Sequence, residues 1–170
     1  MSGGYRKGAG LATDYFLKLA GIKGESSDAK HKDEIELVSF SWGVSQSAAQ
    51  GGGGGGGGKA EFTDFQVVSR VSKSSPLLFL ACATGQHIKD ATLAVRKAGG
   101  DQLEYLTIKL SDVLVSSYQE AGGGGDDERP LDVVSFDFAK IEISYSPQRP
   151  DGKLDSPVKA GYDLKQSKKI

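Results

Sequence analysis

The stretch EIELVSFSWGVSQS, residues 34–47, decides the fold class of this chain of 170 residues. Apolar and small polar side chains alternate along it, which is typical of a strand whose two faces meet different surroundings. The stretch is far longer than an ordinary strand of about 5–6 residues, and long strands curl, bulge or belong to barrels. One face carries Phe40, Trp42 and Val44, so we expect that face to pack into a core. The opposite face has only small, uncharged residues: Ser39, Ser41, Gly43, Ser45 and Ser47.

Strand patterns continue on both sides of this stretch. The other candidates share period-two alternation and lie at residues 14–22, 59–71, 87–98, 102–118, 131–146 and 158–166. A short glycine-containing turn joins the third and fourth of these, which predicts a β-hairpin. In the fifth, the apolar positions change register at Ala139 and Lys140. That change predicts a β-bulge, or a strand that is buried differently at its two ends.

One helix is predicted in SSPLLFLACATG, residues 74–85. Ser75 is suited to be its N-cap and Pro76 its first residue, and Gly85 is placed to end it. Because the helix is short and mostly apolar, we expect it to lie against a core. Several strands, long loops and a single helix predict an all-β barrel or sandwich with a helical insert.

The composition argues against several classes of function. Charged residues make up 25% of the chain and the formal net charge is −1, so there is no bulk attraction to nucleic acid or to an anionic membrane. No apolar run approaches the ~20 residues that cross a bilayer. The first residues, MSGGYRKGAGLA, lack the apolar core of a secretory signal peptide.

Motifs that would carry catalysis or bind a cofactor are weak. Residues 53–59 fit a phosphate-binding glycine pattern, but Ala60 stands where Ser or Thr must hold magnesium, and a strand pattern follows where a helix is required. His31 and His87 are isolated in the sequence, and neither has the spacing of a metal site. Cys82 lies among apolar residues of the helix, where cysteine behaves as a small hydrophobe. We therefore expect no enzyme, no catalytic residue, no cofactor and no metal.

Five segments together resemble the Hcp family, the hemolysin-coregulated proteins that form the tube of the bacterial type VI secretion system. They are IKGESSDAKHKDEIELVSFSWGVSQS (22–47), SSPLLFLACATGQH (74–87), RKAGGDQLEYLTIKLSDVLVSSY (96–118), YSPQRPDGK (145–153) and PVKAGYDLKQ (157–166). The resemblance implies a mainly β fold, a β-barrel of two packed sheets with one short α-helix and long Gly-rich loops, that assembles as a ring. We divide the chain into a flexible N-terminal arm at 1–11, one Hcp-like domain at 12–167 and a basic tail at 168–170.

The same resemblance implies a structural subunit of the secretion tube. Six copies would form a ring around a channel, and stacked rings would leave the cytoplasm for the exterior or a target cell. The implied partners are further copies of the chain, a spike protein at the tube tip, a contractile sheath around the tube and small secreted effectors in the lumen, without nucleic acid and without membrane insertion. The alternatives are a secreted effector or hydrolase on a β-barrel, and a module that binds host surfaces.

Within such a ring, the serine face of residues 34–47 is expected to line the lumen. Hydroxyl groups there would offer hydrogen bonds without a charge preference. The expected lining residues are Ser39, Ser41, Gly43 and Ser45. The alternative is that this face packs closely against a neighbouring strand or subunit. The resemblance also implies that a glycine-rich loop containing Gln50, Gly54 and Lys59 reaches toward the adjoining ring.

Overall fold

The computed structural model describes residues 13–47, 58–97, 100–124 and 129–170. Within these residues the chain is mainly β, with one helix. In chain order the elements are β1 (Thr13–Leu19), β2 (Ile35–Ser41), β3 (Val44–Gln46), β4 (Ala60–Phe62), β5 (Phe65–Arg70), α1 (Ser75–Thr84), β6 (His87–Lys97), β7 (Glu104–Ala121), β8 (Leu131–Tyr145), β9 (Val158–Asp163) and β10 (Lys168–Lys169).

A closed barrel of six strands forms the centre of the molecule. The main sheet runs in the order β10-β9-β8-β5-β2-β1-β6-β7, and β7 pairs again with β8, so the strands from β8 to β7 close on themselves. Every neighbouring pair in this sheet is antiparallel, including the β6–β7 hairpin that the sequence predicts. β3 and β4 form a separate sheet of two strands. The prediction of a mainly β barrel with one short helix is confirmed.

The strand β8 serves three neighbours because it is long. One edge pairs with β7 from Leu131 to Tyr145. The other edge pairs first with β5 and then, from Lys140 onward, with β9. Its register against β7 does not shift at Ala139 and Lys140; the shift lies earlier, at the bulge between Val115 and Ser117 of β7. The predicted bulge at that point of β8 is therefore wrong, and the second interpretation, different burial at the two ends, is confirmed.

The core fills the barrel and is completed by α1. Buried side chains from all six barrel strands meet there, including Leu17, Leu37, Phe65, Leu93, Leu110, Val134 and Phe136. Leu78 and Ala81 of α1 are buried and join this cluster. The helix ends at Gly85, as predicted, where a φ of 66° is the left-handed conformation that glycine adopts most easily. Its N-cap is Ser74 rather than the predicted Ser75, whose hydroxyl turns inward instead.

The predicted long strand at residues 34–47 is two strands in two sheets. β2 ends at Ser41, and β3 begins at Val44 beside β4. The chain leaves the barrel at Gly43, whose N–H donates to Oγ1 of Thr63 at 2.8 Å, while the N–H of Thr63 donates to the Gly43 carbonyl at 2.9 Å. Phe40 packs against the core as predicted. Val44 is 53% exposed, so its predicted core position is wrong, because β3 no longer faces the barrel interior.

A β-bulge within β2 also changes which residues face outward. The register against β5 shifts between Leu37 and Ser39. Ile35 and Leu37 are buried before the shift, and Phe40 packs inward after it. The bulge thus lets two consecutive residues, Val38 and Ser39, both be exposed.

The last residues belong to the sheet. Lys168 pairs with Asp163 and Lys169 with Tyr162, and the N–H of Ile170 donates to the Gly161 carbonyl at 3.1 Å. The expectation of a separate basic tail at 168–170 is therefore corrected, because these residues gain backbone partners on β9. The expected arm at residues 1–11 lies outside the described residues.

Candidate channel-lining surface

The outer wall of the barrel carries a row of polar, uncharged residues across four strands. Ser41 of β2 pairs with Gln66 of β5. Gln66 in turn pairs with Ser135 of β8, and Ser135 pairs with Ser117 of β7. Residues that lie directly opposite each other in neighbouring strands project to the same face of the sheet. These four side chains therefore form one continuous row.

A second row runs parallel to the first, one step along the strands. Its residues are paired in the order Ser39, Val68, Val133 and Gln119. We call the eight residues of the two rows the neutral face. None of them is charged, and all are exposed or half-buried. The residues between them in sequence, such as Val67 and Val134, point the other way and are buried in the core.

The borders of the neutral face are polar or charged. Immediately before β5, the carboxylate of Asp64 accepts a hydrogen bond of 2.6 Å from Ser116, which sits in the bulge of β7. At the other end, Arg70 of β5 pairs with Leu131 of β8. The absence of charge is thus a property of the two rows rather than of the whole outer wall.

The structure brings together only part of the predicted lumen set. Ser39 and Ser41 both belong to the neutral face and are exposed. Gly43 lies at the turn between sheets, and Ser45 pairs with Glu61 in the small sheet. The four residues therefore do not share one strand face, because the barrel strand ends at Ser41, and their place on the channel wall stays a prediction.

The predicted stacking loop lies mostly outside the described residues. Gln50 and Gly54 fall in the range 48–57, for which the structure gives no description. Lys59 is described and is exposed just before β4. Its role in contact between rings stays a prediction.

Six of the eight residues of the neutral face were missed from the sequence. Gln66, Ser117, Gln119 and Ser135 contribute polar side chains from three other strands. Each occupies an outward position in an alternating pattern; Ser135, for example, lies between two fully buried residues. Alternation identifies such positions one strand at a time, but strand order is needed to see that they are neighbours.

Residues 16–145 match the protein-family model described as type VI secretion system effector, Hcp. The chain belongs to the Hcp family. It is 44% identical over 160 residues to protein hcp1 of Pseudomonas aeruginosa, a match that covers 92% of this chain and 98% of hcp1. The crystal structure of Hcp1 from Salmonella typhimurium superposes with a TM-score of 0.76 at 34% identity and covers 94% of this chain and 100% of Hcp1. A solved structure titled as a type six secretion system protein has a TM-score of 0.87 at 31% identity, over 94% of this chain and 100% of its own.

The helix of this Hcp-family chain presents large apolar side chains to solvent. Leu77, Phe79 and Leu80 are 45%, 57% and 51% exposed. The ring of Phe79 contacts that of Tyr118 edge-on, with centroids 6.3 Å apart, but its other side is open. A helix that is apolar all round is normally covered on all sides, so this surface is suited to contact with another protein.

A polar cluster holds the Hcp loop at residues 23–34 against the outside of β1 and β6. The guanidinium of Arg96 is buried and donates to Asp28 at 3.0 Å through one nitrogen and to Asp14 at 3.2 Å through another. It also lies 4.7 Å above the ring of Phe16. The hydrogen bond from Arg96 is the main reason that the pKa of Asp28 is lowered from 3.8 to about 2.

The same cluster contains a buried histidine. The ring of His31 stacks on Phe16 at a centroid distance of 4.3 Å, and its Nδ1 lies 2.8 Å from Oε2 of Glu34. Its Nε2 lies 3.6 Å from a carboxylate oxygen of Glu104 and has no hydrogen-bond partner among the described residues. His31 therefore links the loop to β1 and β7.

Both histidines lie beside carboxylates. His87 lies 3.7 Å from a carboxylate oxygen of Asp112, and neither histidine forms a hydrogen bond with a serine or cysteine in the described ranges. Across the same ranges, no three His, Cys, Asp or Glu side chains are grouped so that they would hold a metal ion. Nor does any helix there have the length and apolar character needed to cross a membrane.

Proposed function

We propose that this chain is a structural subunit of the type VI secretion tube, in which hexameric rings stack and are exported with small effectors in their channel. The single observation that carries the proposal is the neutral face. It is the outer surface of a curved wall, four strands wide, and it has no charged side chain. A channel that must hold and release different cargo needs a surface of this kind, since hydroxyl and amide groups form hydrogen bonds with either polarity.

Membership of the Hcp family supports this role, and so do the exposed apolar side chains of α1. Phe79 and Leu80 are exposed to water in an isolated subunit. Covering them with another copy or a partner lowers the free energy of the system. In the proposed tube, a spike protein caps the stack and a contractile sheath surrounds it. The subunit starts in the cytoplasm and is delivered outside the cell or into a target cell.

The ring is tested by mass and by shape. Multi-angle light scattering of the purified chain is expected to give about six times the chain mass of 17.9 kDa, and negative-stain images are expected to show annular particles. A monodisperse monomer at tens of micromolar, on the order of the concentrations at which specific complexes persist, or compact particles without a hole, would contradict the proposal.

A further inference from the structure

The loop at residues 23–34 folds back on itself and meets the barrel through side chains. Its two ends are joined to each other, since the N–H of Gly24 donates to the Asp33 carbonyl at 2.8 Å. Toward the barrel, Asp28 is bound by a side chain of β6, and His31 contacts side chains of β1 and β7. The attachment of the loop therefore depends on a small number of polar contacts.

His31 is 5% exposed, and each of its two ring nitrogens faces a carboxylate. Nδ1 lies 2.8 Å from Oε2 of Glu34 in the same loop, and Nε2 lies 3.6 Å from Oε2 of Glu104 on β7. Nε2 is enclosed by protein and has no hydrogen-bond partner among the described residues. Most buried polar atoms have such a partner, so this one calls for an explanation.

The two protonation states of His31 fit these carboxylates differently. An ionised carboxylate only accepts hydrogen bonds, so the short contact with Glu34 requires a hydrogen on Nδ1. In the neutral ring, Nε2 then carries a lone pair that faces Glu104, which leaves a buried acceptor without a donor. In the imidazolium both nitrogens donate. The side chain of Glu104 is 41% exposed, so it is free to rotate and close the gap of 3.6 Å.

The charged groups around His31 are mostly acidic. They face it from the loop, from β1 and from β7, and they are Asp28, Glu34, Asp14 and Glu104. The cation that β6 contributes is Arg96, which lies 4.7 Å from the ring centroid of Phe16, the residue on which His31 stacks. Arg96 is bound to the two aspartates. Within the described residues, the two glutamates pair with no cation other than His31.

The charge of histidine ordinarily changes between about pH 5 and 8. When His31 loses the proton on Nε2, the donor that faces Glu104 is lost, and with it the polar contact between the loop and β7. Asp28 acts in another range, because its contribution is lost only below pH 3.8. The two effects on the loop are therefore separated by pH.

We propose that His31 is a pH-dependent attachment of the loop at residues 23–34. The imidazolium joins Glu34 in the loop to Glu104 on β7, and the loop loosens when the proton on Nε2 is lost. This attachment lies within one copy and does not depend on ring formation.

Loosening of the loop also alters a surface beside the helix. The loop forms one wall of a groove of about 860 Å³, to which it contributes Lys23 and Lys32 and to which α1 contributes Leu77. A groove that is partly apolar and open to solvent is suited to contact with another protein. The protonation state of His31 therefore bears on a candidate contact surface.

Hydrogen exchange of the full chain, measured by mass spectrometry, tests the attachment. Protection factors of residues 23–34, corrected for the intrinsic rate at each pH, are compared at about pH 6 and about pH 8. Protection is expected to be about tenfold higher at the lower pH, because a hydrogen bond between two charged groups then holds the loop. Residues 131–145 of β8 are the internal reference, and their protection is expected to stay the same.

Glu104→Gln separates this contact from other effects of pH. The glutamine amide can donate to a neutral Nε2 and accept from a protonated one, so the loop is expected to stay attached at both pH values. His87→Gln changes the other histidine of the chain, and Glu142→Gln changes an exposed carboxylate on β8. Both control variants are expected to keep the pH dependence of the wild type.

Three results would overturn the proposal. They are equal protection of the loop at both pH values in the wild type, a pH dependence that persists in Glu104→Gln, and a pH dependence that disappears in His87→Gln. Each of them leaves the proposed tube intact. A monomeric chain in light scattering would instead contradict the tube and leave the role of His31 unaffected.

Discussion

Ser75 and Asp132 are 57 residues apart in the sequence, yet the hydroxyl of Ser75 donates a hydrogen bond to the Asp132 carboxylate inside the protein. Both residues are buried, and Tyr118 donates to the other carboxylate oxygen at 2.9 Å. Burial, together with the hydrogen bonds to Asp132 and Glu120, raises the pKa of the Tyr118 phenol. The contact fixes the first turn of α1 to β7 and β8, so the placement of the exposed helix depends on it.

Replacing Ser75 by alanine is expected to destabilise the fold. The change leaves a buried carboxylate with one donor fewer, which costs about 1–3 kcal/mol of the free energy of unfolding. Urea denaturation measures this loss. Ser116→Ala, which removes a donor to Asp64 at an exposed site, is the matched control and is expected to cost about 0.5 kcal/mol or less. Equal losses in the two variants would show that the Ser75 contact has no special role.

Acid is expected to weaken the attachment of the loop at residues 23–34. The pKa of Asp28 in the folded chain is lowered from 3.8 to about 2, chiefly by the hydrogen bond from Arg96. A lowered folded-state pKa means that the ionised group contributes stability above pH 3.8 and that this contribution is lost as the pH falls toward 2. The urea midpoint of the wild type is therefore expected to fall over this range.

Asp28→Asn tests the origin of that fall. The variant is expected to have a lower urea midpoint at neutral pH, since buried Arg96 loses a charged partner. Below pH 3.8 its midpoint is expected to change less steeply than that of the wild type or of Asp155→Asn, an exposed control. Curves that stay parallel down to pH 2 would contradict the assignment.

Gly24 is expected to tolerate no side chain. A Cβ there would lie 2.4 Å from the carbonyl oxygen of Glu34 and 2.7 Å from the Cα of Ile35. Both are backbone atoms, so relief requires the loop to move away from the strand that follows it. Gly24→Ala is expected to cost about 1–3 kcal/mol in urea unfolding, while Gly123→Ala, where a Cβ meets nothing within 4 Å, is expected to be close to neutral. A neutral Gly24→Ala would show that the loop adapts freely.

Ser41→Gln is expected to leave ring formation unchanged and to weaken effector retention. The larger side chain projects from the neutral face and displaces cargo contacts, so retention should fall about twofold to tenfold if one hydrogen bond of about 0.5–1.5 kcal/mol is lost. Quantitative mass spectrometry of effector that co-purifies with rings measures the effect. Ser45→Gln, on the separate β3–β4 sheet, is the matched control. Collapse of the ring in Ser41→Gln would place this residue at a subunit contact instead.

Much of the fold could be predicted from the sequence because its cause is local. The alternation in residues 102–118 and 131–146 records which side of each strand meets the core, and Pro76 and Gly85 mark the ends of the helix. The break between β2 and β3 at Gly43 could not be predicted from the alternation of side chains. Residues 34–47 keep their alternation through it, and the exit from the barrel depends on Thr63, a residue distant in the sequence.

Only part of the neutral face could be predicted from the sequence, because alternation is a property of one strand at a time. Ser39 and Ser41 stand out in one strand, whereas Gln66 and Ser135 become their neighbours through the order of β2, β5 and β8. The cluster around Arg96 was not foreseen. Its partners Asp14 and Asp28 lie 82 and 68 residues away in the sequence, in segments without a motif.

A cryo-EM structure of the assembled particle would show whether the neutral face lines the channel of a ring. We expect six copies around a channel, with Ser39, Ser41 and Gln66 on the channel wall of every copy. A particle in which these side chains lie between copies or on its outer surface would contradict this expectation.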